Sequence, residues 1–298
     1  MVYWPLILTA SILAALVAGN NLSVAVGSLV GSNVLKKNYS KILAIIGFVS
    51  GMLIGSEYMK STTLALFPQS SFMLFLIISG TILIFIIAQL TRVPISLTMA
   101  LVGIGIGLMF HNNTFQNENI AIKIVFMWIL APISAIILSF LLGIIYKGIK
   151  FKNVWHTTST IKVLLLVTSF FSAYTLGENT LGLIINISGF SIESVIFIII
   201  GTALGAYFIS EGVLRRVSFE IYSLRYSTAL ISILTSALLV EIATLFSIPL
   251  SNTQTMTLGI LGVGLSYKTR YFILKPLLKI LIFWVISPLI GITIGFII

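Results

Sequence analysis

The sequence predicts an all-α polytopic membrane protein made of two inverted-topology repeats of about five hydrophobic segments each, some of them broken or re-entrant. Three observations predict this. Apolar residues make up 58% of the chain and charged residues only 8%, with a mean hydropathy of +1.16. A soluble domain carries roughly a quarter charged residues, so lipid is the solvent this composition suits. Apolar runs long enough to cross a hydrocarbon core of about 30 Å recur from end to end. Polar phrases also return in the same order half a chain apart.

The runs fall at about 4–33, 42–57, 71–91, 94–110, 122–146, 161–187, 190–210, 227–247, 250–266 and 276–298. All read as helices, because an open sheet cannot satisfy its backbone in lipid and barrel-type alternation is missing. The start, M-V-Y-W-P-L-I-L-T-A, lacks the basic region of a signal peptide, so it reads as the first span. Loop charge tests the count. Fifteen of the seventeen Lys and Arg fall in odd-numbered loops, and only Lys60 and Lys123 fall in even-numbered ones. By the positive-inside rule the odd loops are cytoplasmic, and both termini are expected outside. The net charge of +10 is scattered among these loops. That pattern suits an anionic leaflet, so membrane lipid is an expected partner and nucleic acid is not.

The repeat is explicit. Pro94, Ser96 and Thr98 return as Pro249, Ser251 and Thr253, 155 positions on. K-I-V-F-M-W-I-L-A-P from Lys123 returns as K-I-L-I-F-W-V-I-S-P from Lys279, 156 positions on. A-G-N-N around Asn20 is echoed by L-G-E-N-T around Asn179, 159 positions on. The chain therefore divides into a first repeat at 1–150, a cytoplasmic linker at 151–160 and a second repeat at 161–298. Five segments per copy is an odd number, so the second copy enters the membrane from the other side. Inverted repeats are a signature of secondary transporters, whose site lies where the halves meet.

The phrases suggest what that site binds. Pro94 and Pro249 are expected to start short helices, because proline fits a helix's first turn. That would put Ser96, Thr98, Ser251 and Thr253 in those first turns, with Asn252 adding an amide. Free N–H groups at a helix start attract anions. The plainer alternative is that such hydroxyls bond back to their own helix and that Asn20, Asn21 and Asn179 tie helices together; the paired placement favours a site. At membrane depth the acids are few: Glu241, in A-L-L-V-E-I-A-T, and Glu178, beside Asn179. An intramembrane carboxyl is a functional hypothesis by default. Glu57, Glu118, Glu193, Glu211 and Glu220 read as loop or span-end residues, and Arg92 as a snorkelling side chain.

At these residues the chain resembles the inorganic phosphate transporter (PiT) family, which carries a Gly-Ala-Asn-Asp-Val-Ala-Asn phrase and a Pro-Val-Ser-Thr-Thr-His phrase in each half. The resemblance covers nearly the whole chain. It implies symport of inorganic phosphate, or sulfate in some members, with Na⁺ or H⁺. By position, Asn20 and Asn179 match the first motif, and Ser96, Thr98, Ser251 and Thr253 match the oxyanion-binding one. The departures are specific. The family's acidic residue is Asn21 in the first copy and Thr180 in the second, its following Asn is Val24 and Leu183, and its His is Met99 and Gln254. The anion-binding half of the pattern survives better than the cation-binding half.

Importing a dianion against 100 mV costs about 4.6 kcal/mol, so accumulation needs a coupling ion. Asn21, Thr180, Glu178 and Glu241 are the candidates for holding it, with protons favoured over Na⁺. The expected function is thus a multi-pass permease of the cell membrane for phosphate, with sulfate the near alternative and a passive anion channel the alternative of another class. An intramembrane enzyme lacks its usual tools here, since there is no Asp, no Cys and only two His. No cofactor and no metal site are expected, and a homodimer is left open.

Overall fold

The computed structural model describes residues 3–90, 96–112, 118–149, 153–209, 226–267 and 274–298. Each of the ten apolar segments contains helix, and no strand occurs among the described residues. The helices are α1 (Trp4–Gly31), α2 (Lys37–Gly55), α3 (Lys60–Leu66), α4 (Ser71–Leu90), α5 (Leu97–His111), α6 (Glu118–Gly148), α7 (Val154–Leu176), α8 (Gly182–Ser188), α9 (Ile192–Leu204), α10 (Tyr226–Leu245), α11 (Asn252–Ser266) and α12 (Leu274–Ile297). A 3₁₀ turn, Ser56–Met59, joins α2 to α3, so the second segment runs on to Leu66. π-Helical turns at Gly177–Leu181 and Gly205–Ile209 extend α7 and α9. Arg92, Pro94, Glu211 and Glu220 lie outside the described residues, as do many of the loop Lys and Arg.

Local sequence explains several boundaries. Pro5 sits in the first turn of α1, where a missing N–H costs nothing. That helix ends at Gly31, and Asn33 turns the chain with φ 53°, a left-handed geometry that Asn tolerates. Most of the expected linker at 151–160 is helical. Asn153 caps α7 by accepting the N–H groups of Trp155 and His156 at 3.0 and 3.3 Å, which starts the helix at Val154.

Among the described residues six helical stretches are long and apolar enough to cross a membrane: 4–31, 37–66, 118–148, 155–188, 192–209 and 226–245. The protein is therefore a multi-pass membrane protein. Both α5 and α11 have 15 residues, or about 22 Å, which falls short of a hydrocarbon core of about 30 Å. One face of α6 shows what the rest of the surface meets: Phe126, Ile129, Ile133 and Ile137 are all exposed at helical spacing, a stripe that suits acyl chains.

Three pairs of helices that carry or adjoin the repeated phrases share features. The pair α4 and α10 have 20 residues each. The 15-residue pair begin at N-cap serines with nearly the same backbone, Ser96 at φ −84°, ψ 113° and Ser251 at φ −84°, ψ 108°. Pro132 and Pro288 lie inside α6 and α12.

The halves pack by exchange. Glycines of α9 and its π turn meet α1, with Gly201 on Ser11 and Gly205 on Ala15. In the same way α2 meets α7, with Gly47 on Phe170 and Gly51 on Tyr174. The α5–α12 seam has Gly103 on Pro288 and Gly107 on Ile292, and the α6–α11 seam has Gly143 on Ser266 and Gly262 on Ile136. Residue numbers rise together along each seam, so all four pairs run parallel. Each pair joins a helix of one half to the non-equivalent helix of the other. Close backbone approach through small residues is how helices pack without a hydrophobic driving force.

In contrast α10 and α11 run antiparallel as a helical hairpin. Near its base Gly259 faces Ser232, and towards its tip Ser236 donates to the Asn252 side chain. The base lies beside the C-terminal ends of α1 and α6, where Lys147 donates to the Ser266 carbonyl and Lys162 stands over the Tyr226 ring. A cavity of about 490 Å³, lined by residues including Asn33, Tyr146 and Tyr226, opens at this base. The tip residues Pro249, Leu250 and Ser251 are buried.

The seams give a direct test. At Gly177 any Cβ would fall within the contact shell of the Phe48 carbonyl, whereas Gly148 has nothing within 4 Å. Gly177→Leu should cost about 1–3 kcal/mol or more through overpacking, read as a drop of several degrees in the melting temperature of the detergent-solubilised protein. Gly148→Leu should leave that temperature unchanged.

Candidate functional site

The hairpin tip breaks the helix inside the protein, so its backbone groups need partners. Three side chains from elsewhere supply them. The Asn179 amide, on the π turn after α7, donates to the Ile248 carbonyl at 3.0 Å and to the Thr244 hydroxyl at 2.8 Å. Its Oδ1 accepts the Leu250 N–H at 3.0 Å. The Trp128 indole on α6 donates to the Pro249 carbonyl at 3.3 Å. Thr62 on α3 donates to the carbonyl of Ser247, which has a φ of 59°. Thr244 donates back to Val240.

This clamp sets where α11 starts, and it corrects one sequence expectation. Pro249 does not open the helix; Ser251 caps it and Asn252 is its first residue. The physical reason is that proline keeps the residue before it extended, whereas serine suits an N-cap. The first copy likewise starts at Leu97 after Ser96, with Pro94 outside the described residues.

The two caps differ in one useful respect. Ser96 accepts the Met99 N–H at 3.4 Å, and its carbonyl accepts the Ser287 hydroxyl of α12 at 2.9 Å. Ser251 makes no capping bond; its hydroxyl pairs with that of Thr253 at 3.0 Å. The start of α11 therefore keeps N–H groups open. Beside them Asn252 holds its Oδ1 on Ser236, while its Nδ2, a buried donor, has no acceptor. Gln254 Oε1 is also buried without a partner. That oxygen is an acceptor and is not part of the donor set; the uncharged Asn252 Nδ2, the Ser251 and Thr253 hydroxyls and the open N–H groups have the chemistry to take an anion.

The remaining expected residues fall as follows. Asn20 donates to Asn21 at 3.3 Å on α1, a helix in contact with α11. Thr98 is buried in the first turn of α5. No hydrogen bond joins Ser96 or Thr98 to Ser251 or Thr253 among the described residues. Asn179, expected as a ligand, uses both amide hydrogens on Thr244 and Ile248 and so positions the hairpin tip. Thr180 Oγ1 is buried without a partner. Glu178 and Glu241 come near each other, because the Asn179–Thr244 bond ties the π turn to α10 beside them. No group of three or more metal-ligating residues occurs among the described residues.

Sequence reading missed Thr244, Ser236, Ser287, Thr62 and Tyr174 as members of this network. One signal was available: Trp128 belongs to the repeated K-I-V-F-M-W phrase, and a buried tryptophan N–H needs an acceptor.

The sequence profile of the Phosphate transporter family (PHO4) matches residues 17–192 and 153–295. The chain is 31% identical over 285 residues to a protein of Methanocaldococcus jannaschii that carries the name of a phosphate permease, covering 95% of this chain and 92% of that protein. It is 25% identical over 293 residues to the sulfate permease CysP of Bacillus subtilis, covering 94% and 81%. The solved structure of a sodium-dependent phosphate transporter superposes with a TM-score of 0.84 at 15% identity, covering 99% and 98% of the two chains; that likeness concerns the fold.

Asn179→Ala should remove the clamp and leave the buried Leu250 N–H unpaired, at about 1–3 kcal/mol. The expected result is a lower melting temperature. Thr244→Val, which leaves the two backbone bonds in place, should lower it less. Equal melting temperatures for wild type and Asn179→Ala would contradict the clamp.

Proposed function

Because the chain belongs to the phosphate transporter family, we propose that it is a secondary carrier of inorganic phosphate across the cell membrane, coupled to H⁺ or Na⁺. One observation carries this reading: the buried, unpaired Asn252 amide beside the Ser251–Thr253 hydroxyls at the open start of α11. An oxyanion between them would accept the free N–H groups of that helix start and complete the amide's bonding.

The two halves supply the carrier geometry. Parallel seams between non-equivalent helices are what two copies of opposite orientation would produce. In this reading α4–α5 and α10–α11 are re-entrant hairpins that enter from opposite faces, with Ser96 and Thr98 completing the site from the other side. Half-helix starts aimed at an anionic substrate near the midplane are a recurring transporter device. The cavity at the hairpin base, beside Asn33 and Tyr146, serves as the vestibule on the basic, cytoplasmic side, and both termini lie outside.

Sulfate is the second reading, favoured by the similarity to a sulfate permease and by the uncharged donor set, which does not ask its anion for a proton. A passive channel would show neither saturation nor coupling.

The test is uptake of labelled phosphate and sulfate into proteoliposomes. Phosphate uptake should saturate and collapse when the ion gradient is dissipated. Loss of a bond to a charged group is worth about 1.5–3 kcal/mol. Ser251→Ala and Asn252→Ala should therefore weaken substrate affinity about 10- to 100-fold, and Ser96→Ala should also impair uptake. Wild-type transport by Ser96→Ala/Ser251→Ala would remove both serines from the site.

A further inference from the structure

Two acids within the helical body lie outside the anion site, and among the described residues no ion pair holds either of them. Glu178 stands on the π turn Gly177–Leu181 and is 2% exposed. Glu241, half-buried, stands on α10. The Asn179–Thr244 bond at 2.8 Å joins the residue after Glu178 to the residue three beyond Glu241, which brings the two acids to the same place between α10 and the π turn, with Tyr174 one turn before Glu178. One oxygen of each carboxyl, Glu178 Oε2 and Glu241 Oε2, has no donor. The Glu178 side chain lies over Gly55 of α2, so closely that any Cβ there would collide with it.

We propose that Glu178 and Glu241 are the proton-coupling site of the carrier: a carboxyl pair that always shares one proton and takes up a second during transport. This rests on the reading of the chain as a coupled carrier. Two ionised carboxylates are both acceptors. Two charged carboxylates brought together repel each other, and a shared proton turns one of them into a donor that joins the pair. The shared-proton pair carries one negative charge. Accepting a proton from hydronium at one face makes two neutral acids and water; release to water at the other face restores the pair. Nothing is oxidised or reduced, and no other reactant is needed.

The groups that face the pair agree with a proton rather than a metal ion. From α7 comes Tyr174; from the 3₁₀ turn Tyr58 faces Tyr174; from α10 comes Glu241 itself. The nearby Glu57 and Lys60 are exposed and bonded to each other at 3.2 Å. No Lys or Arg among the described residues is seen to neutralise the pair.

Placement explains how the proton would be felt at the anion. Glu241 and Thr244 are three apart on α10, so they share one face of that helix. Glu178 and Asn179 are adjacent on the π turn. Glu178 with Glu241, and Asn179 with Thr244, therefore form two successive rungs between the same two elements. The second rung is the clamp that holds Ile248 and Leu250, and through them the start of α11. A second proton draws the first rung together; its loss separates like charges and loosens the second. π-Helical turns are frequent at functional sites, and here one carries both residues.

Proteoliposomes enclosing a pH-sensitive dye test this with labelled phosphate and sulfate. Counterflow of either anion by the wild type tests the carrier reading itself, and its absence would sink both. For the pair, the readout is the number of protons taken up per anion. In E178Q and E241Q that ratio should fall at least tenfold in whatever uptake remains. Y174F keeps both carboxyls and should move the pH midpoint of uptake. A wild-type ratio in either glutamine variant, a midpoint unmoved in Y174F, or wild-type accumulation driven by Na⁺ alone would each overturn the proposal.

Discussion

The amide of Asn179 does in this protein what backbone does elsewhere. Between Leu245 and Asn252 the helix is interrupted, and the freed groups of Ile248 and Leu250 close onto one side chain. Water cannot perform this service in lipid. An amide suits the task because it offers donors and an acceptor from one plane, and Asn179 uses both kinds. From this follow the burial of the tip, the position of Ser251 as a cap and the open first turn of α11. Trp128 and Thr62 extend the clamp to α6 and α3, so the tip is anchored in both halves of the chain.

The seams give that clamp a rigid frame. Lipid tails are as apolar as leucine, so burying leucine between helices gains little in a membrane. Glycine against carbonyl gains dispersion and close backbone contact instead. Four such seams cross between the halves. Neither half is a separate packing unit, because the main partners of α1, α2, α5 and α6 are α9, α7, α12 and α11. A motion that opens the hairpin towards one face must slide along these seams or pivot about them.

Much of this was written in the sequence, for identifiable reasons. Helices are the spanning form open to a chain whose hydrophobic runs do not alternate, and the ten segments all contain helix. The repeat fixed which phrases to compare, and Ser96 and Ser251 emerged with nearly the same backbone angles. What failed was local and physical. Proline was read as a first-turn residue, but its grip on Ile248 and the capping strength of serine moved the helix start by three residues. Asn179 was read as a ligand, yet a broken backbone nearby had the stronger claim on its amide. The meeting of Glu178 with Glu241 joins residues 63 apart, and no spacing rule reveals such a contact. The Ser236–Asn252 bond depends on the same tertiary placement.

The central claim is that an oxyanion binds at the open start of α11. Locating a bound anion by the anomalous scattering of selenium or arsenic, in crystals soaked with selenate or arsenate, tests it most directly. The account predicts a peak within hydrogen-bond distance of Ser251, Thr253 and the Asn252 amide. A peak confined to the cavity between Asn33, Tyr146 and Tyr226, with none at the hairpin tip, would contradict it.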